Sequence, residues 1–449
     1  MFKVGWAQRE VHFDGPVMLH GQMHVRVSEG ENDRLTVTAL ALEGEEGAAL
    51  LVSCDLCNIP GDLLAATRSA LAARLPEFDT SRLVMNATHT HTGPTLVEGA
   101  YTSPPDVEVV PPAECLRLVA ERAAEAAVAA WTARQPGRIL RGFGHAVVGH
   151  NRRAAYFDGS AAMYGATNTP AFSHLEGYED HSVDLLFTVD GEGRLTGLVV
   201  NLACTSQETE GAMTISADFW HEARVELRRR LGAELFVLPQ VSAAGDQSPH
   251  LLLHGKAEQY MLARRGLTRR QEIARRLGEA VEDVYAVVQG EALTEPRLVH
   301  LVETMVLPGR VMTERDYQAA QDELRSNGDQ YQPDSWRPRQ LREVIATYEG
   351  SGAKPPVEVE VHALRLGDVA LVTNPFELFL DYGERLQARS AAEQTFVVQL
   401  ACGVHGYLPT AKAVGLGYSG KANDNEVGPE GGQMLVERSL ALIGALWRE

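Results

Sequence analysis

The chain has 449 residues, 45% of them hydrophobic and 22% charged, the balance of a folded protein able to bury a large core. Its net charge of -19 leaves no basic excess to neutralise phosphates, so a nucleic-acid partner is not expected. Met1–Trp6 hold no basic region followed by an apolar one, and no apolar run is long enough to span a bilayer, so neither a secretion signal nor stable membrane association is expected. The five cysteines are odd in number and sparse, which fits reduced thiols in a cytoplasm better than a disulfide framework.

Arg34–Leu42 and Ala48–Ser53 flank Glu43–Gly47, and the pattern predicts an antiparallel hairpin with a longer loop. Cys54 and Cys57 have CxxC spacing inside the apolar run Ala48–Ile59. No second CxxC exists, which favours a buried strand end over a zinc knuckle or redox pair. Gly61–Leu75 follows as a helix, with Leu63, Leu64, Thr67, Leu71 and Leu75 on one face. Ser81–Met85 reads as a short buried strand that leads into Asn86-Ala-Thr-His-Thr-His-Thr-Gly-Pro94. In an extended segment residues two apart share a side, so His89 and His91 would face one cavity. Neutral imidazole is the commonest protein ligand of zinc. The pair suits a metal ligand with a second imidazole beside it, or two histidines satisfied at a surface or in a core.

Tyr101–Pro112 is rich in proline and reads as a loop, either a lid or a surface excursion. Glu114–Gln135 is an alanine-rich helix. Ile139–Val148 is a strand that delivers Gly149–Arg153, whose adjacent arginines suit an anionic or carbonyl group, or simply the surface. Val183–Val189 and Leu195–Ala203 form a hairpin through the Asp-Gly turn at Asp190. Ser216 is expected to cap the next helix, with Asp218 near its positive end and Arg228–Arg230 near the other. Leu235–Leu238 is a short buried strand that leads to Val241–His250. There small residues let backbone approach a ligand, and Asp246, Ser248 and His250 supply an acid, a hydroxyl and an imidazole. A serine needs a base or a metal nearby to become a nucleophile, and a structural turn is the alternative. Helices over Ala257–Val288 precede a polar helical insertion at about 311–350. Val357–Leu366, Val369–Val372 and Thr395–Leu400 read as strands, and Asn374–Glu377 as a helix start. The alternation predicts an α/β protein, mixed α/β sheets packed with helices in one catalytic unit over residues 1–449.

The succession Thr88-His-Thr-His-Thr-Gly-Pro94, Asn151-Arg-Arg153, Gly245-Asp-Gln-Ser-Pro249 and Tyr407-Leu-Pro-Thr410 resembles the neutral (alkaline, nonlysosomal) ceramidase superfamily. The resemblance runs in the same order from about Val4 to the C-terminus, and the first and third motifs are the specific ones. It implies a mixed α/β catalytic domain with a zinc-dependent amidohydrolase activity. It also implies that His89, Glu377 and Tyr407 are metal ligands and that His91 faces the substrate at the oxyanion or tetrahedral centre. Arg152 would contact the substrate carbonyl, and Ser248 would be the nucleophile or a metal-assisted hydroxyl. Tyr418, matched across a one-residue gap, would stabilise the transition state. Asp246 and His405 are assigned to the substrate side.

Two departures shape the functional expectation. The family's Pro-Gly-Glu reads Pro375-Phe-Glu377, and its second metal histidine falls on Thr205, whose hydroxyl is a poor zinc ligand. His221, in the next helix, is expected to take that place, with Asp218 and Cys204 behind it. Capping or packing of the helix is the alternative role for His221. The chain also ends where ceramidases continue into an Ig-like domain. A small soluble substrate is therefore expected in place of membrane ceramide: an amide, ester, lactone or sugar derivative, in carbohydrate metabolism. The alternatives are a metal-dependent lyase with Tyr418 as base, a glycosidase, or a non-catalytic ligand-binding protein on the same scaffold.

Overall fold

Apolar runs that the sequence marks as strands assemble into two sheets in the computed structural model, which describes residues 1–103, 106–327 and 336–448. The larger sheet has eight strands in the order Phe236–Val241, Leu195–Leu202, Ser182–Asp190, Gln135–His145, Lys3–Val11, Leu35–Glu43, Ala48–Cys54 and Leu83–Ala87. Its two outermost pairs are parallel and the pairs between them antiparallel. The smaller sheet runs Leu298–Leu307, Val357–Leu366, Val369–Thr373 and Gln394–Val398, with the last pair parallel. Parallel strands are covered on both faces, and every residue of Leu83–Ala87, Val369–Thr373 and Gln394–Val398 is buried.

The larger sheet curls until its two edge strands face each other. Ser53 Oγ and Asn86 Nδ2 both donate to the Pro239 carbonyl, at 2.6 and 3.0 Å. The smaller sheet docks on this seam through Asn201 Nδ2, which donates to Val397 O at 2.8 Å, and through Gln399 N, which donates to Val241 O at 3.0 Å. The parallel strands therefore end in one region, and the loops beyond them meet there, the place where sheets of this kind bind ligands.

Helix Pro112–Thr132 lays Ala120, Ala123, Ala127 and Ala130 against the larger sheet. The approach is close enough that a Cβ on Gly5 would stand 2.0 Å from Ala130 O. Helix Phe219–Leu231 packs on helix Arg269–Val288, and their apolar faces share one core with the strands at 182–202. In the expected insertion, Glu314–Asn327 and Trp336–Glu349 are helices over a small core of Met312, Ala320, Leu341 and Val344. Positions 328–335 of that insertion, and 104–105 of the proline-rich loop, lie outside the described residues.

The α/β class and both hairpins stand as expected, and two local readings are corrected. Asp218, not Ser216, caps helix Phe219–Leu231, and it does so at φ 54. That backbone state costs about 1–3 kcal/mol in a non-glycine residue. The Asp218 carboxylate offsets it by accepting from Phe219 N, Glu208 N, Thr209 N and Thr209 Oγ1, each worth about 1 kcal/mol or more. The helix expected from Asn374 starts at Leu380 instead. Asn374 Oδ1 accepts from Phe376 N and turns the chain, so Glu377–Leu378 pairs as a short strand with Tyr407–Leu408.

The contact between the sheets includes a buried carboxylate, Asp184, bonded by Gln394 Nε2 at 2.7 Å and Gln387 Nε2 at 3.3 Å. Burial pushes this group from 3.8 up to about 7. The folded protein thus holds the Asp184 proton more tightly than the unfolded chain, and this group's contribution to stability is lost as pH rises from about 4 to about 7. Asp184→Asn removes that slope. Urea midpoints at about pH 5 and about pH 8 should shift in the variant's favour at the higher pH; a gap that does not change with pH would refute the assignment.

Candidate active site

The loop after Leu83–Ala87 is tied to the loop after its parallel neighbour, with Thr88 N on Cys54 O and Thr90 N on Leu56 O at 3.0 and 3.1 Å. His89 leaves the extended state expected for it and stands at φ 62. Its Nδ1 is bonded to Cys57 O at 2.6 Å, which fixes the ring and directs Nε2 inward. That Nε2 is 3.2 Å from His91 Nε2 and 3.5 Å from Glu377 Oε2. The two rings meet edge to face at 4.8 Å, so the pair does share one cavity, by a turn rather than by strand alternation. The His91 ring lies against Gly21, where a Cβ would stand 2.4 Å from its Cγ.

Glu377 and Tyr407 stand opposite each other in their short parallel pair, and the Tyr407 hydroxyl bonds the Glu377 carboxylate. Glu377 Oε2 is buried and has no hydrogen-bond donor. Burial lowers the basicity of His89 and His91 and raises the Tyr407 phenol well above its ordinary range. Tyr418 meets Tyr407 edge to face, with ring centres 5.4 Å apart.

The adjacent arginines divide their work. Arg153 forms a buried ion pair with Glu176 and donates to Leu416 O, Tyr418 O and Ser419 Oγ, so it positions the loop that carries Tyr418. Arg152 is equally buried but faces neutral acceptors: Tyr164 Oη, Gln207 Oε1 and Gly245 O, each at 3.0 Å. Among the described residues no carboxylate lies within ion-pair distance of it.

Ser248 lies in a two-residue strand, Gln247–Ser248, paired with His150–Asn151, and its Oγ accepts from His250 N at 3.2 Å. Asp246 is buried beside it and accepts from Leu380 N at 2.9 Å, while the Asp246 carbonyl accepts from Arg152 N at 3.0 Å. This carboxylate shapes the loop. His405 is half-buried, bonded to Glu426 at 2.7 Å, and lines a cavity of about 660 Å³ together with His20 and Asn58.

The expectation for His221 is corrected. Phe219, Trp220, Ala223, Arg224 and Leu227 take the buried face of its helix. His221 is left exposed in a surface groove with Glu222, Val225 and Arg229, away from the buried His89. Cys204 Sγ points at Thr205 O and does not substitute for it. The residue that fills the space is Gln207. Its Oε1 accepts from Thr205 Oγ1 and Arg152, and its Nε2 lies 3.2 Å from His91 Nε2 and donates to Glu210 Oε2 at 2.9 Å. Glu210 Oε2 is also 3.4 Å from His91 Nδ1. Gln207 was the sequence's alternative to His221, with Cys204 in the same loop; Glu210 and Tyr164 were not singled out, and the available signal was the polar turn after a buried strand.

The donor set suits a metal ion. Glu377 Oε2 lacks a donor, His89 Nε2 is turned toward it, and Tyr407 adjoins both. Cys57, His89 and His91 also form a group with closely spaced donor atoms. Cys57 Sγ, however, lies 3.7 Å from His89 Nδ1, the nitrogen already bonded to Cys57 O, so it backs the ring.

No family model matches the chain, and no curated protein matches it. Among solved structures, neutral ceramidase from Pseudomonas aeruginosa is similar with a TM-score of 0.73 and 18% identity, over 100% of this chain and 75% of that one. A ceramidase complexed with C2 is similar with a TM-score of 0.71 and 16% identity, over 99% of this chain and 75% of that one. The chain has the mixed α/β fold of neutral ceramidase.

Proposed function

We propose that the protein is a zinc-dependent, amidohydrolase-like hydrolase of a small soluble substrate: an amide, ester, lactone or sugar derivative. The observation that carries this reading is the buried Glu377 oxygen without a donor, opposite a histidine nitrogen that the Cys57 carbonyl leaves free. An unsatisfied buried polar atom costs about 1–3 kcal/mol, and more when charged, so a cation held by His89, Glu377 and Tyr407 removes that cost. When bound, the ion supplies Lewis-acid polarisation of a carbonyl and an acidified water. Arg152, whose hydrogen bonds go to neutral acceptors, donates to the substrate carbonyl oxygen as negative charge develops there. His91, braced by Gln207 and Glu210, holds the same centre from the other side. Ser248 offers the hydroxyl. The polar surroundings of Tyr164, His250 and Glu210 suit a small polar substrate rather than one with two long alkyl chains.

A second reading, a ligand-binding protein without turnover, is favoured by one observation: Thr205 spends its hydroxyl on Gln207, so the fourth protein donor is replaced by an amide that is itself engaged. Turnover of a panel of amides, esters, lactones and glycosides with added zinc separates the two. Binding from metal-replete protein without any product would decide for the second.

Elemental analysis should find a transition metal in stoichiometric amount, and Glu377→Gln should lose it together with activity. A metal-free protein with full turnover would sink the proposal. Ser248→Ala should keep the melting temperature and lose at least ~100-fold in turnover, the scale of a lost catalytic group. Unchanged turnover would assign attack to water alone.

A further inference from the structure

A second group of metal-type donors lies between the sheets and takes no part in the proposed chemistry. On the strand Val357–Leu366 the two-residue period puts Glu360 and His362 on one face. Cys402 lies in the loop beyond Gln394–Val398 and is held at φ 56, a costly state for a residue with a side chain. A carboxylate oxygen of Glu360, a ring nitrogen of His362 and Cys402 Sγ all lie within 4.8 Å of one another. Tetrahedral zinc with bonds of about 2.0–2.3 Å sets its donors roughly 3.3–3.8 Å apart, so a movement of about an ångström closes the site.

Each donor is oriented from behind. His362 Nδ1 meets His300 Nε2 at 2.9 Å, which leaves Nε2 on the Glu360 side. Arg68 grips both Glu360 oxygens, at 2.7 and 2.9 Å; Oε2 keeps a free lone pair, while Oε1 also meets His362 Nε2 at 2.8 Å, a contact that an entering ion replaces. Met85 N donates to Cys402 Sγ at 3.4 Å, as backbone amides do to thiolate ligands. Such outer contacts fix the tautomer and aim of ligating side chains. His362 is fully buried, but Cys402 and Glu360 both line the cavity of about 660 Å³ that also touches His20, Asn58 and His405. An ion can enter from that side, and a fourth position faces it.

We propose that Cys402, His362 and Glu360 form a second metal site, separate from His89 and Glu377, that takes a divalent transition ion of the zinc class. One sulfur, one nitrogen and one oxygen donor select such an ion over magnesium or calcium. The loop from Cys402 runs directly to Tyr407, so an ion here would fix the strand end from which the phenol projects.

Cobalt(II) tests this with a signature that the other site lacks. The full chain is stripped of metal and titrated with cobalt. A thiolate ligand gives an intense near-ultraviolet sulfur-to-cobalt band, and imidazole, carboxylate and phenolate donors do not. The band should appear in the unmodified protein and in His89→Ala, and vanish in Cys402→Ser with the fold retained by circular dichroism. His300→Asn should weaken cobalt binding by ~10–100-fold, the effect of losing an outer contact. No band in the folded protein would overturn the proposal. So would a band that survives Cys402→Ser and disappears in Cys57→Ser. Because the readout is not activity, a failure here is distinct from a failure of the hydrolase reading.

Discussion

The side-chain oxygen of Gln399 holds the two halves of the site together. It accepts from Ala244 N at 3.1 Å and from Leu378 N at 2.9 Å, deep in the protein. One acceptor therefore joins the loop that carries Ser248 to the strand that carries Glu377. Gly245 N on Leu378 O, at 2.7 Å, adds a second tie, and any Cβ at Gly245 would stand 2.4 Å from Glu377 O. Without the Gln399 oxygen two buried N–H groups lose their partner, at about 1–3 kcal/mol each. The other loops are fixed by the same means: Asp218 gathers the Gln207 loop, and Arg153 gathers the Tyr418 loop. Rigid polar ties, not apolar packing, set where the chemical groups stand.

The charge arrangement follows from that rigidity. Arg26 and Arg152 are both buried, and among the described residues neither has a carboxylate within ion-pair distance. Arg26 instead donates to the carbonyls of His20, His91 and Ala212. Burial first, then the neighbouring His89 ring and the guanidinium groups of Arg152 and Arg26, depress His91 and keep its ring neutral at ordinary pH. A neutral imidazole can donate or accept at a developing tetrahedral centre, which an imidazolium cannot do in both senses.

The parts of this molecule legible in its sequence were those with local causes. The Asp-Gly turn and alternating residues specified the hairpin at 182–202, and a buried strand followed by Thr-His-Thr-His placed two imidazoles in one cavity. The role of Gln207 had no local cause: it depends on Asp218, which accepts two amides from the preceding loop at a backbone state no pattern announces. His221 shows the limit of helical geometry. Angles around a helix separate it from Phe219, but Trp220 also turned inward, and the wider apolar face left His221 in solvent. Glu377 was placed by resemblance to a motif, while the local reading put it in a helix, because the side-chain turn made by Asn374 competes with helix initiation.

The order of the chain has a kinetic meaning. His89 leaves the larger sheet and Glu377 leaves the smaller one, and their meeting waits until the sheets dock through Asn201 and Gln399. Contacts of such long sequence separation form late on the folding path, because loop closure must come first. Interactions absent from the transition state act on the rate of unfolding and leave the rate of folding nearly untouched. Whatever occupies this cleft would therefore lengthen the life of the folded chain without helping the chain to reach it.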